Sequence, residues 1–385
     1  MIKGKLRYLE RLYPRFSFKP LEFGQDISGS SPPSVFIGRK GYPKVYVGPL
    51  IPAIHGDTKF MDTPESWLGK NDATDIISFR FQLVRGKELV DVKKMGRQAE
   101  NLQSIALAEK SVDIEASFKK KPKGVFFHEE MQPFGPSAPL KEMKVDSQKF
   151  DHKMEKAYYD TDLLAKDAVI WLYEKRLLVS SLQKAFSVGA FGLGKNRKLV
   201  PTRWSITAVD DTLGSYMLES IKQYDTIGEF RVYEAESLNN KFVIIFMPTF
   251  WRYETMEAWF PQIIGDRLEI YSDYETFDRR TAYARIGGCY YAARLAVAER
   301  LEAEKRQAGV IILRESYPGY IPLGVFNVRE NVREALRKSY MRFETLKQAL
   351  DYAGTRLRIP LEQWIGQSQM LKNEIVQKRL ADFVR

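Results

Sequence analysis

The residues best suited to chemistry lie together in the middle of the chain. Lys195, Asn196, Arg197, Lys198 and Arg203 form its densest run of phosphate-binding side chains outside the plain lysine runs. They follow a glycine-rich stretch, Val188 to Gly194. Glycines let backbone N–H groups approach an anion, and arginine supplies paired donors. The run is not a P-loop, because neither Ser nor Thr follows Lys195. Its other reading is an exposed loop carrying a solubilising charge run. Two adjacent carboxylates, Asp210 and Asp211, come next, at the end of a stretch, Val200 to Val209, that reads as a strand. Such a pair can hold a divalent metal or move a proton. On an extended chain the two point to opposite faces, so at most one enters a given site. Asp-Asp-Thr is equally a good helix start for Leu213 to Lys222.

Further along, Gly287 and Gly288 open a helix that carries Cys289 and Arg294. A helix N-terminus preceded by glycine accepts an anion, and close packing of a helix on a sheet explains the same glycines. Arg314 and Glu315 directly follow an apolar strand, where α/β proteins place their sites. A plain ion pair between them is the alternative. Glu315 thus joins Asp210 and Asp211 as a candidate catalytic carboxylate, and Arg294 and Arg314 join the candidate phosphate binders. His55, His128 and His152 have no metal-ligand spacing. The single cysteine, Cys289, excludes an intrachain disulfide and a cysteine-held zinc, and reads as a small core residue. A divalent metal or a nucleotide remains open as cofactor, and no metal-ligand set can be named.

The last nine residues have the form Gln-x-x-Leu-x-x-Phe-x, with Gln377, Leu380, Phe383 and Val384 at the marked places. This resembles the peptide that binds the sliding clamp (PCNA). In one tight helical turn Leu380 and Phe383 share a side and fill an apolar pocket, while Gln377 reaches a polar niche. Many such peptides carry two adjacent aromatics, and here the second position is Val384. The other reading is a terminal helix docked on the body.

The elements that must position these residues can be read coarsely. The chain has 385 residues, 44% of them hydrophobic, enough for a sizeable core. Its formal charge of +11 favours polyanionic partners, DNA first among them. No apolar run is long enough to span a bilayer. The lone cysteine suits a reducing cytoplasm, which is the expected location. Val35 to Pro49 reads as strand, turn, strand. Ile76 to Val84, Val112 to Phe118, Phe242 to Phe246 and Val310 to Arg314 read as further strands. Asn101 to Lys110, Asp160 to Lys184, Tyr290 to Gln307 and Asn331 to Tyr352 read as helices. Lys119 to Lys123 is a basic, proline-containing connection, and His128 to Leu140 an ordered loop. Met370 to Arg385 is an amphipathic tail. The fold class is therefore α+β or mixed α/β: a mixed sheet flanked by helices, with an extended C-terminal peptide.

Five long strings are similar to segments of the archaeal Nre DNA-repair protein family: Ser34 to Leu50, Gly135 to Leu140, Tyr158 to Leu163, Lys195 to Asp211, and Gly287 to Arg294. Leu313 to Tyr320 makes a sixth. The resemblance covers nearly the whole chain. It implies a role in DNA-damage repair, at the nucleoid, and clamp binding through Gln377, Leu380 and Phe383. Many family members begin with a cysteine-bearing finger; here Ile2 to Pro14 follows that frame without cysteines, so no zinc is expected there. The resemblance implies four parts: a basic N-terminal segment (1–15), a main Nre-type domain (16–300), an α/β part packed on it (301–370) and the clamp-binding tail (371–385). Two readings stay open. One is a clamp-tethered enzyme acting on nucleic acid or a nucleotide, and the other a non-catalytic DNA-binding adaptor.

Overall fold

The computed structural model describes residues 5–12, 22–94, 96–128 and 131–376. The clamp-like motif at residues 377–385 therefore lies outside the described residues. The chain divides into two compact units, Pro14–Leu213 and Met1–Tyr13 with Gly214–Arg385. Each is a mixed sheet with helices, so the expected α+β architecture occurs twice.

The chain opens with α1 (Lys5–Leu12), which belongs to the second unit; its Tyr8 hydroxyl accepts from the Gly319 N–H at 2.7 Å. The first unit then runs β1 (Asp26–Ser31), β2 (Val35–Ile37), β3 (Lys44–Ile51), α2 (Ala73–Gln82), β4 (Val84–Asp91), α3 (Arg97–Ala106) and β5 (Val112–Phe118). It continues with β6 (Phe126–His128), β7 (Met131–Phe134), β8 (Ser137–Val145), α4 (His152–Tyr159), α5 (Ala165–Glu174), α6 (Val179–Ser187) and α7 (Thr202–Ile221). Its main sheet has the order β1-β5-β8-β4-β3-β2, and β6 pairs with β7 alone. Only the β4–β8 pairing of the main sheet is parallel, with Arg85 opposite Ser137 and Lys87 opposite Pro139. The expected hairpin is present as β2 and β3. Alternation in β3 buries Val45 and Val47 and turns Lys44 and Tyr46 outward.

Two expected strands are helices. Ile76 to Val84 lies mostly in α2, because Asp72 and Asp75 form a reciprocal capping box and burial falls at Ile76, Ile77 and Arg80, a helical spacing. Val200 to Val209 belongs to α7. The Pro201 carbonyl accepts the first helical bonds, and burial recurs every fourth residue at Ser205, Val209, Leu213, Met217 and Ile221. Asp210 and Asp211 therefore sit inside a helix, not at its start. The boundary between the units falls in this same helix, between Leu213 and Gly214.

The second unit continues with β9 (Phe230–Ser237), β10 (Asn240–Met247), β11 (Arg252–Trp259), β12 (Glu269–Glu275), α8 (Gly288–Glu304), β13 (Gly309–Ser316) and α9 (Phe326–Arg337). It ends with β14 (Met341–Phe343), α10 (Leu346–Arg356), α11 (Leu361–Gln367) and α12 (Gln369–Val376). Its sheet order is β12-β11-β13-β10-β9-β14, with β11 and β13 parallel. Every residue of β10 and β13 is buried, as their apolar runs predict for central strands. Val243, Ile245, Ile311 and Leu313 pack with Leu350, Trp364 and Leu371 in one core. The helix expected over Asn331 to Tyr352 is broken by β14. Thr345 and Gln348 cap each other and restart it as α10.

Candidate nucleic-acid interface

The first unit gathers cations around one open groove. Its floor comes from β4 and β8. Lys87 projects from β4, and Ser137, Ala138 and Pro139 from the neighbouring strand. Gly48 lets β3 lie close beside β4, since a Cβ there would stand 1.7 Å from the Gly86 carbonyl oxygen. The wall is the connection after β5, carrying Lys119, Lys120, Lys121 and Lys123. That connection is held at both ends, by the Lys119 N–H on the Pro139 carbonyl at 2.9 Å and by a bridge between Lys123 and Ser137. Tyr46, Gln25 and Phe126 complete a cavity of about 700 Å³. Five lysines line it, and among the described residues no acidic side chain does.

Rings and cations alternate beside this floor. The Lys87 ammonium stands 5.1 Å from the Phe126 ring centroid, and Phe126 stacks on Phe134 at 5.2 Å and 16°. The Arg85 guanidinium covers Phe134 at 3.7 Å and approaches Phe36 at 5.2 Å. Such contacts hold a cation in place without neutralising it. Burial, then the charges of Arg85 and Lys120, lower the Lys87 pKa. Burial and the nearby Arg80 push Arg85 down to about 9, with Asp62 acting the other way. Arg80 is differently placed: it pairs with Asp62 at 2.5 Å, and Lys184 joins the same carboxylate at 3.1 Å.

A second basic patch of the same unit includes one sequence candidate, Arg203. Burial and the charge of Arg203 lower the Arg39 pKa, which places the two cations close together. Beside them Tyr42 and the exposed Trp204 pack with ring centroids 5.1 Å apart. The rest of the run is divided. Lys195, Asn196 and Lys198 are exposed. Arg197 turns inward and donates to the carbonyls of Gly192, Tyr158 and Asp160 at 2.9, 2.6 and 2.7 Å. Asp210 is fully buried and accepts from the Gln183 amide at 2.8 Å, while Asp211 is half-buried.

The remaining candidates belong to the second unit. Arg294 pairs with buried Glu275 at 2.9 Å. Arg314 does not pair with Glu315 but with Glu257 at 2.6 Å, and also donates to Asn240. Glu315 accepts from the backbone N–H groups of Arg358 and Ile359, at 3.0 and 2.8 Å, and from the Tyr317 hydroxyl. Gly287 has the positive φ of 75° that suits glycine at the N-cap of α8. Cys289, expected in the core, is only half-buried. Among the described residues no three His, Cys, Asp or Glu side chains are grouped to hold a metal ion, and no helix is long and apolar enough to cross a membrane. Sequence reasoning missed Tyr46, Arg85, Lys87, Phe126 and Ser137. The outward phase of β3 and the alternating cations Arg85 and Lys87 were the available signals.

Fold and groove together define a two-unit α+β protein whose first unit carries a lysine-lined cleft. Two family models match it: archaeal Nre, N-terminal, over residues 5–264, and archaeal Nre, C-terminal, over residues 275–383. The chain belongs to the archaeal Nre family. It is 45% identical over 354 residues to a protein of Archaeoglobus fulgidus named DNA repair protein NreB, covering 90% of each chain. It is 36% identical over 363 residues to DNA repair protein NreA of the same organism, covering 92% of each. DNA repair protein NreA of Haloferax volcanii is 30% identical over 368 residues, covering 90% of this chain and 86% of that one. No solved structure matches the chain.

Proposed function

We propose that this protein serves in DNA repair by binding nucleic acid along the lysine-lined groove of its first unit, and that its last nine residues bring it to the sliding clamp (PCNA). The observation that carries the binding is the concentration of five lysines around one groove with no described acidic neighbour in its lining. Phosphates entering there displace counterions and relieve the mutual repulsion of the lysines. The names of the relatives supply the repair context. The spacing of Gln377, Leu380, Phe383 and Val384 supplies the clamp assignment. Tethering raises the effective concentration at DNA without a new base contact. The reading places the protein at the nucleoid, in the cytoplasm.

A binding role is favoured over a hydrolytic one by the surroundings of the candidate carboxylates. Asp210 is held by Gln183, and Glu315 is engaged by two backbone N–H groups and a tyrosine hydroxyl. Groups so engaged fix the scaffold. The test is DNA binding over a salt series, with Lys119→Glu and Lys121→Glu combined. The variant is expected to bind at least about tenfold more weakly, with a shallower salt dependence. An unchanged affinity and slope would remove the groove from the interface. In parallel, Leu380→Ala with Phe383→Ala is expected to abolish binding to the purified clamp while leaving the fold intact. Binding that persists would overturn the tail assignment.

A further inference from the structure

The floor of the groove holds a hydroxyl with nothing to bond. Ser137 is 8% exposed, its Oγ is buried without a hydrogen-bond partner, and it lines the cavity. A buried hydroxyl left unpaired is a cost that a ligand oxygen arriving in the groove would offset. Across the β4–β8 ladder from it stands Arg85, which forms no ion pair among the described residues. Lys87, one alternation further along β4, faces the same cavity. The floor therefore presents one unsatisfied hydroxyl beside Lys87, with Arg85 just behind it and no acidic side chain in the described lining, which is a donor set for a phosphate diester.

The rim adds something that charge alone does not call for. Tyr46 is 52% exposed and Phe126 40%, and both line the cavity. Large exposed rings beside cations are the stacking platforms of single-strand binders, since every base offers a π-face. In a duplex those faces are stacked inside and out of reach unless the base is extruded. A cavity of about 700 Å³ holds a small ligand rather than a double helix.

We propose that the groove is a single-strand site, with phosphodiester oxygens on Ser137 Oγ, Lys87 and the lysine connection, and with unpaired bases against Phe126 and Tyr46. This rests on the nucleic-acid reading above and specifies which form of nucleic acid enters.

The test uses the full chain at one salt concentration and three labelled probes: an oligo-dT, an abasic oligomer of equal length, and a duplex. The oligo-dT is expected to bind at least about tenfold more tightly than the abasic oligomer, and more tightly than the duplex. Tyr46→Ala with Phe126→Ala, both surface positions, should shrink that difference, weakening oligo-dT binding by more than abasic binding. Ser137→Ala should weaken oligo-dT and abasic binding alike, by about tenfold, and leave the thermal midpoint of the free protein equal or higher. A serine kept for the scaffold would lower that midpoint instead. Equal binding of oligo-dT and abasic oligomer, or a duplex bound as tightly as oligo-dT, would overturn the single-strand proposal and leave the nucleic-acid reading standing. Failure to bind any of the three probes would overturn both.

Discussion

Arginines of the second unit and the groove lysines of the first are placed in opposite ways. In the second unit, several arginines face buried or half-buried acids: Arg314 with Glu257, Arg294 with Glu275, Arg231 with Glu304, and Arg333 with Glu299, all at 2.6–2.9 Å, with Arg231 and Arg333 each reaching a second acid. In the first unit, the lysines of the groove share one surface and no described acid lines it. A formal charge of +11 counts cations without locating them. Pairing locates them. A cation that faces a carboxylate is part of the scaffold, whereas one held only by rings and by other cations is available to a ligand. The first unit also contains a matched network, at Asp62, so the contrast is between sites rather than between whole units.

The contrast can be broken from either side. The largest effect on stability is expected at Arg314. Arg314→Met leaves Glu257 buried and uncompensated, and should cost about 3–5 kcal/mol in chemical denaturation. Adding Glu257→Leu should recover much of that loss. A double variant as unstable as the single one would mean that the pair does more than neutralise itself.

Asp62 comes next. Burial alone would raise its pKa, but Arg80 and Lys184, with hydrogen bonds from Ser34 and Lys184, hold it at about 2. Because the folded value lies below the unfolded one, this stability is present above about pH 4 and is lost as pH falls towards 2. The group should contribute about 2 kcal/mol over that window. Asp62→Asn should be less stable at neutral pH and should lack that part of the acid transition in a pH series of unfolding curves.

The smallest stability effect is expected in the groove. Lys119→Glu with Lys121→Glu should change unfolding free energy by no more than about 0.5 kcal/mol, and relief of repulsion sets the sign towards stabilisation. Yet this is where binding should change most. Loss of two phosphate contacts should flatten the logarithmic salt slope for single strands by about 1.4. Stability and affinity responding in opposite order at these sites would sharpen the distinction between matched and unmatched charge, and parallel responses would dissolve it.

Much of the fold was legible where burial leaves a simple period. β5 alternates, and β10 and β13 are unbroken apolar runs buried on both faces. α7 was misread because Ile206, Thr207 and Val209 favour strands locally, while burial at every fourth residue is decided by packing that a sequence does not display. The break between α9 and α10 depends on the reciprocal cap at Thr345, a two-residue signal inside a helical pattern. The site was harder to see. Arg197 lies in the most promising basic run, yet its guanidinium is taken by three carbonyls. The groove joins Tyr46, Lys87, the connection at 119–123 and Ser137 through a parallel β4–β8 pairing. Parallel pairing leaves no turn between its strands, so no local spacing announces it. The terminal motif was legible as a motif, and Gln377, Leu380 and Phe383 lie outside the described residues.

The membership of α1 in the second unit has a consequence for the order in which the protein is made. Its Tyr8 and Leu9 are buried in the finished protein, and the Gly319 N–H that meets Tyr8 lies 311 residues further on. During synthesis the first unit is complete, and free to fold, long before that partner leaves the ribosome. Helix α1 emerges well before the residues it packs against and is therefore among the last elements to find its place. Until Gly319 has been made, the face that carries Tyr8 and Leu9 lacks that native partner.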